Sequence, residues 1–141
     1  MNSETEIVRA RLRMVETQVM VRGVRDERVL DAMRSVRRHE FVPAEQVAHA
    51  YEDRPLLIGH GQTISQPYIV AWMTELLQLR GQDTLLEVGA GCGYQTAVAA
   101  RLCRHVIALE RIAELAQQAR LHLQRAGVDN ATVVEADGTQ G

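Results

Sequence analysis

The first group of residues that could do chemistry is a glycine-rich loop. In "LLEVGAGCGYQ", Gly89, Gly91 and Gly93 are spaced as G-x-G-x-G directly after an apolar run. Glycine permits a sharp turn and lets a ligand approach the backbone where a side chain would collide. An ordinary tight connection is the simplest interpretation of such a loop on its own. Acidic residues further along the chain favour a cofactor site instead.

Those acidic residues follow two later strand-like runs. Glu110 ends "HVIALE", while Asp137 and Gly138 follow "ATVVEA". Ligands bind at the carboxyl ends of parallel strands, so we expect Glu110 to accept ribose hydroxyls and the other two residues to lie beside adenine. A dinucleotide fingerprint requires glycine at position 94, where this chain has Tyr94. With the acidic Glu87 ahead of the loop, this favours S-adenosylmethionine over the alternative, an NAD-dependent oxidoreductase.

The second group is the segment "GHGQTISQP", residues 59–67, which we interpret as the rim where a substrate meets the cofactor. Its only aliphatic side chain is Ile64, among two glycines, amides, hydroxyls and a proline. Ser65 has two open interpretations, a helix N-cap and a functional hydroxyl. His60 either contacts substrate or lies in solvent.

Helices are expected to precede and follow this rim segment. Apolar residues recur at helical spacing at Val8, Leu12, Val15 and Val19, and again at Val29, Leu30, Met33 and Val36. Arg22–Gly23 ends the first helix, Asp26 caps the second, and a short helix begins near Pro43. Another helix starts near Pro67 and carries an apolar stripe of Ile69, Trp72, Met73, Leu76 and Leu77. We expect Trp72 in the core.

From Thr84 onward, strands and helices alternate, which predicts an α/β Rossmann-like fold with right-handed crossovers. "TLLEV", "HVIALE" and "ATVVEAD" give three parallel strands in the order 3-2-1, and the first strand is expected to be buried on both faces. The predicted division is a helical subdomain at 1–80 and the N-terminal half of a Rossmann-like domain at 81–141. The first strand would form an exposed apolar edge. We therefore expect a truncated chain, or one that needs a partner or associates with itself.

Composition excludes several classes of protein. The net charge of −2 gives no attraction to nucleic acid or anionic membranes, and the absence of lysine excludes Schiff-base chemistry. Cys92 and Cys103 do not form a CxxC pair, and the charged N-terminus lacks the apolar region of a signal peptide. We expect a soluble, cytoplasmic protein. No metal site is expected, because "HEFVP" has Pro43 where a zinc helix requires histidine.

Several segments together resemble bacterial protein-L-isoaspartate (D-aspartate) O-methyltransferases. They are "RMVETQV", "RVLDAM", "HEFVP", "AYEDRPLLIGHGQTISQPYIVAWMTELL" and "LLEVGAGCGYQTAVAA", and they extend over nearly the whole chain. The "GQTISQP" element is more selective than the glycine loop. The resemblance implies an S-adenosylmethionine-dependent enzyme that methylates the free carboxylate of isoaspartyl residues in damaged proteins and so begins their repair. The alternative is an inactive or partner-dependent remnant that binds the same cofactor.

The resemblance also implies roles for individual residues. The expected catalytic residue is Ser65, positioning the acceptor, and the expected substrate contacts are His60, Thr63 and Ser65. The cofactor set implied by the resemblance and by the loop is Gln62, Thr63, Ile64, Ser65, Glu87, Gly89, Ala90, Gly91, Cys92, Gly93, Glu110, Arg111, Asp137 and Gly138.

Overall fold

The structure, a computed structural model, describes residues 3–140. The α-helices are α1 (Glu4–Met14), α2 (Glu27–Ser35), α3 (Pro67–Leu77), α4 (Tyr94–Ala100) and α5 (Ala113–Arg125). The strands are β1 (Leu56–Gly59), β2 (Gln62–Ile64), β3 (Thr84–Val88), β4 (His105–Glu110) and β5 (Ala131–Glu135). A π-helical turn (Val15–Val19) and four 3₁₀ segments (Met20–Arg22, Arg38–Phe41, Ala44–His49 and Gly138–Gln140) complete the secondary structure of that range.

The first helical segment ends, and the second helix begins, where the sequence predicts. Ser3 caps α1 by accepting a hydrogen bond from the Glu6 amide at 3.2 Å. The helical segment continues to Gly23, whose left-handed φ of +102° ends it. Asp26 caps α2 by accepting a hydrogen bond from the Arg28 amide at 3.0 Å, which confirms the predicted N-cap.

The parallel sheet confirms the predicted strand order. β4 lies between β3 and β5, and all three strands run parallel. Both connecting helices, α4 and α5, pack on one face, which we call the covered face. Val106 and Ala108 of β4 are fully buried there, as is Leu115 of α5. This packing holds the carboxyl ends of the three strands at one edge of the domain.

The opposite face of the sheet, which we call the bare face, corrects one prediction. β3 is not buried on both faces, because Leu86 and Val88 are each 61% exposed. Side chains alternate along a strand, so the same register places Ile107 and Val134 on this face, and both are also exposed. The prediction that β3 forms an exposed apolar edge is confirmed.

Helix α3 corrects a second prediction, since its apolar stripe is not its packing face. Trp72 is 43% exposed and stacks on Tyr68, with ring centroids 6.1 Å apart. The predicted core position for Trp72 is therefore wrong. The buried side of the helix is formed by Val70, Ala71 and Thr74. Because α3 is apolar around most of its circumference, periodicity alone does not identify the buried side.

Three further observations bear on chemistry. Across residues 3–140, no helix has both the length and the hydropathy needed to cross a membrane. The same residues contain no group of three His, Cys, Asp or Glu side chains that could hold a metal ion. Cys92 and Cys103 are both buried as free thiols.

Candidate cofactor and acceptor site

The rim segment is built on a hairpin that the sequence analysis did not predict. β1 and β2 pair antiparallel, with Leu56 opposite Ile64, and the tight turn between them contains His60 at a φ of +55°. Alternating burial accompanies the pairing, since Leu56 is buried while Leu57 is exposed. Alternating strand-like residues on either side of a glycine-rich turn are a sequence pattern that could have predicted this hairpin.

The hairpin brings the rim against the glycine loop and encloses a cleft of about 70 Å³. Most of the predicted residues line it, namely Thr63, Ile64, Ser65, Glu87, Gly89, Ala90, Gly91 and Cys92. Sequence reasoning missed three further lining residues, Val70, Tyr94 and Gln95. Ligand sites commonly enclose several hundred Å³, so this cleft surrounds only part of a nucleoside-sized molecule.

The glycine loop has a backbone that requires glycine. Gly89, Gly91 and Gly93 have φ values of +85°, +55° and +90°, which side chains disfavour. The amides of Gly89 and Ala90 both donate to the Leu109 carbonyl, at 2.8 and 2.9 Å, and so tie the loop to β4. The loop therefore lies at the carboxyl end of β3 with its main chain accessible to a ligand.

Glu110 braces this loop from the end of β4. The residue is only 6% exposed. Its Oε1 accepts a hydrogen bond from the Gly91 amide at 2.9 Å, and its Oε2 accepts one from the Ile112 amide at 2.9 Å. Glu110 does not line the cleft itself. A carboxylate oxygen has room for a second donor, so the expected contact with ribose hydroxyls stays a prediction.

Glu87 places a carboxyl group at the lining of the cleft. Its side chain points to the covered face of β3 and accepts a hydrogen bond from the Thr96 hydroxyl at 2.5 Å. Burial raises the pKa of Glu87 to about 7, with a smaller contribution from the nearby charge of Glu110. Small changes around neutral pH therefore change the charge of the cleft.

The remaining predicted residues lie outside the cleft: His60, Gln62, Gly93, Arg111, Asp137 and Gly138. Asp137 is exposed and accepts hydrogen bonds from the amide and hydroxyl of Thr139, which lower its pKa. Gly138 packs against β3 so closely that a Cβ would stand 2.6 Å from a methyl group of Val88. The cofactor and substrate roles of all six residues stay predictions.

Ser65 does not cap α3. The N-cap position belongs to Gln66, and no side-chain hydrogen bond caps the helix. Ser65 is exposed at the cleft, while its main-chain carbonyl accepts a hydrogen bond from Arg38 Nη2 at 2.9 Å. The capping interpretation is therefore wrong, and the hydroxyl is left at the cleft lining with no capping role.

The residues at the cleft fit a nucleoside cofactor, since the open backbone of the glycine loop and the Glu87 carboxyl line it and Glu110 lies at the end of the adjacent strand. This fold is the Rossmann-like methyltransferase fold. A Plasmodium falciparum protein assigned as a protein-L-isoaspartate O-methyltransferase, solved with S-adenosyl-L-homocysteine, superposes with a TM-score of 0.79 at 26% identity, covering 92% of this chain and 64% of that one. A tRNA (m1A58) methyltransferase from Aquifex aeolicus shares the fold alone, with a TM-score of 0.54 at 21% identity and coverage of 59% of this chain and 34% of that one.

Sequence comparison identifies the family. The profile of the protein-L-isoaspartate (D-aspartate) O-methyltransferase family matches residues 10–141. The protein-L-isoaspartate O-methyltransferase of Methanoculleus marisnigri is 56% identical over 133 residues, which are 94% of this chain and 60% of the relative. That of Geobacter metallireducens is 53% identical over 132 residues, with coverages of 94% and 61%. The chain belongs to this family and spans about 60% of the length of these relatives.

Proposed function

We propose that this chain carries the acceptor rim and the methionine-end loop of an S-adenosylmethionine-dependent protein-L-isoaspartate O-methyltransferase. Its substrates would be isoaspartyl residues in damaged proteins and peptides, and methylation would begin their repair. The observation that carries the proposal is that Thr63, Ile64 and Ser65 line one cleft together with the loop from Gly89 to Cys92. The family membership and the likeness to the Plasmodium falciparum structure support the same cofactor.

The chemistry of this reaction fits a cleft without a strong base. A carboxylic acid with a pKa near 4 is already ionised at pH 7, so the acceptor needs no deprotonation. A new bond forms between carboxylate oxygen and methyl carbon while the carbon–sulfur bond breaks, and sulfur keeps the electron pair. The products are a neutral methyl ester and a neutral thioether. Catalysis then depends chiefly on aligning oxygen, methyl and sulfur, which can contribute several kcal/mol.

We assign roles to the residues on that basis. Ser65 orients the acceptor carboxylate by donating a hydrogen bond and is not a covalent nucleophile. The loop from Gly89 to Cys92 holds the cofactor through its main chain, with Glu87 beside it. Glu110 positions the loop and, with Arg111, faces the ribose, while Asp137 and Gly138 lie at the adenine side.

The proposed activity is tested with tritiated S-adenosylmethionine and an isoaspartyl peptide. The expected product is a base-labile methyl ester on that peptide. The same peptide with a normal aspartyl residue is the control and should stay unlabelled. Equal labelling of both peptides, or no labelling of either, contradicts the proposal.

Ser65→Ala separates acceptor positioning from cofactor binding. The variant should lower methyl transfer by about tenfold or more, as expected for loss of one orienting hydrogen bond. Its affinity for S-adenosylhomocysteine should stay within about twofold of wild type. Ser35→Ala is the matched control, because Ser35 is exposed and its hydroxyl donates to the Asp31 carbonyl within α2. If the variant loses cofactor affinity and keeps its rate, the assigned role is wrong.

A second candidate is a cofactor-binding chain that acts only with a partner. The bare face favours it, since Leu86 and Val88 are each 61% exposed there. The outer edge of β3 also favours it, because within residues 3–140 this edge pairs with no other strand. We propose self-association through this edge, because an unpaired strand offers backbone donors and acceptors to a second strand. Sedimentation velocity over a range of concentrations tests this, and a monomer throughout contradicts it.

We also propose a cytoplasmic location with no nucleic acid or membrane partner. The free buried thiols of Cys92 and Cys103 suit a reducing compartment. The net charge of −2 offers no general attraction to anionic polymers or surfaces. Fractionation of cells that produce a tagged chain tests the location, and recovery in the membrane fraction contradicts it.

A further inference from the structure

Arg38 is a fully buried arginine that joins the N-terminal helices to the rim. Its exposed fraction is 0%. Its Nε donates to the carbonyl of Ala50 at 2.6 Å, and its Nη2 donates to the carbonyl of Ser65 at 2.9 Å. Its Cζ lies 4.9 Å from the ring centroid of Tyr94, in cation–π geometry.

The charge of Arg38 has no anionic partner in the part of the chain that the structure describes. None of the ion pairs found there includes Arg38. Its Nη1 is buried with no hydrogen-bond partner among residues 3–140. Burial lowers the pKa of Arg38, yet a guanidinium remains protonated in proteins. A buried charge without a counterion is costly to the fold, so a functional reason for keeping it is worth testing.

This charge lies directly behind the candidate cleft. The Ser65 carbonyl that it holds belongs to the rim, and Tyr94, over which it stacks, lines the cleft. Arg38 therefore acts on both walls of the cleft without lining it.

We propose that Arg38 is a positioning residue that fixes the main chain of Ser65 and that its unpaired charge influences which ligands the site binds. This charge favours an anionic acceptor. It also favours the uncharged thioether product over the sulfonium donor. The inference rests on the proposed function. A nearby cation attracts the acceptor carboxylate and repels the donor sulfonium. Both charges disappear during transfer, so the repulsion of the donor and the attraction of the acceptor are both lost as the methyl group moves.

The two cofactor forms provide a test that does not depend on turnover. S-adenosylmethionine and S-adenosylhomocysteine differ by one methyl group and one positive charge. Isothermal calorimetry of both ligands against wild type and Arg38→Met gives the ratio of the two dissociation constants for each protein. The variant should shift this ratio toward S-adenosylmethionine by about tenfold, because removing a nearby positive charge removes its repulsion of the sulfonium.

Two control variants separate charge from structure. Arg38→Lys keeps the charge and should leave the ratio within about twofold of wild type. Arg11→Met removes another buried arginine, which is 8% exposed and donates to the Arg34 carbonyl at 2.7 Å, but which lies on α1 and does not line the cleft. It should destabilise the fold without changing the ratio. An unchanged ratio in folded Arg38→Met overturns the inference.

The wild-type protein provides a measurement that does not depend on a variant folding. At pH 6 the Glu87 carboxyl, with its pKa raised to about 7, is mostly protonated and no longer adds a negative charge to the cleft that would attract the sulfonium. S-adenosylhomocysteine should then bind about threefold or more tightly than S-adenosylmethionine. Equal affinities overturn the inference and leave the proposed function standing. Failure of wild type to bind either ligand overturns both.

Discussion

Both faces of the parallel sheet carry apolar residues, but helices cover only one of the two faces in the part of the chain that the structure describes. On the covered face, Val106 and Ala108 are fully buried under α4 and α5. On the bare face, Leu86 and Val88 of the adjacent strand are each 61% exposed. Two of the three predicted cofactor carboxyl groups, Glu87 and Glu110, belong to the covered face, because Glu87 lies opposite Ala108 and Glu110 lies two residues after it in β4. The face that carries these carboxyl groups is therefore packed against helices, whereas the bare face is exposed.

The largest expected difference between the faces is in core packing. Leu115→Ala should lower the free energy of unfolding by about 3 kcal/mol, because a large buried side chain is lost and a cavity remains. Leu115 is 0% exposed and belongs to the helix that covers the sheet. Urea denaturation measures the change.

Leu86→Ala is the matched control on the bare face. The substitution is chemically the same, yet it should change the unfolding free energy by less than about 0.5 kcal/mol, because exposed positions contribute little. Equal losses for the two leucines would show that the bare face is packed in solution.

The next largest effect concerns the pH dependence of stability through Glu87. Its folded-state pKa is raised to about 7 from 4.5, so the folded state binds the proton more strongly than the unfolded chain. The resulting stabilisation is fully present below pH 4.5 and is lost as pH rises through 7. Glu87→Gln should abolish this loss, so the variant gains about 2 kcal/mol relative to wild type between pH 5 and pH 8.

Unfolding free energies of both proteins at the two pH values test that difference. Glu135→Gln is the control, because Glu135 is exposed at the end of β5. It should show no change in relative stability between the two pH values. A Glu87→Gln variant that parallels wild type at both pH values would show that the carboxyl is not buried as described.

A smaller effect is expected at Glu110, which braces the loop. Glu110→Gln keeps one acceptor oxygen and loses the other, so one of the amides of Gly91 and Ile112 loses its partner. The expected loss of stability is about 1–2 kcal/mol. Amide hydrogen exchange at Gly91 and Ile112 should also become faster. Unchanged exchange at both amides would contradict the bracing role.

The smallest effect on stability is expected from charges added to the bare face. Leu86→Lys combined with Val88→Lys should change the unfolding free energy by less than about 1 kcal/mol, since both side chains are exposed. Lysines on an edge strand oppose strand pairing between copies. If the chain self-associates through β3, the double variant should therefore weaken that association by about tenfold or more. Sedimentation velocity measures this, and unchanged association would place the contact elsewhere.

Local sequence signals predicted the three parallel strands and their order, and they predicted helix ends, although they did not predict the β1–β2 hairpin. Asp26 capped a helix, Gly23 ended one, and three short apolar runs became three adjacent parallel strands. The helix ends could be predicted because capping hydrogen bonds and glycine backbone conformations involve residues close together in the chain. The position of the glycine loop at a strand end followed from the same local rules.

What could not be predicted depends on tertiary contacts. Helix α3 is apolar around most of its circumference, so the sequence near Trp72 does not show which side of the helix packs. The structure buries Val70 and Ala71 rather than Trp72. The anchoring of Ser65 by Arg38 joins residues 27 positions apart, which no local pattern records. Within the site, the loop and rim were predicted, whereas the bracing of the loop by Glu110 and the cleft positions of Tyr94 and Gln95 required coordinates.

The central claim is that the rim and the glycine loop form one cofactor site. The most direct test is an NMR titration of the ¹⁵N-labelled chain with S-adenosylhomocysteine, following every assigned amide. The amides of Gly89–Cys92 and of Thr63–Ser65 should shift together, with one dissociation constant. Shifts confined to other parts of the chain, or none at saturating ligand, would contradict the claim.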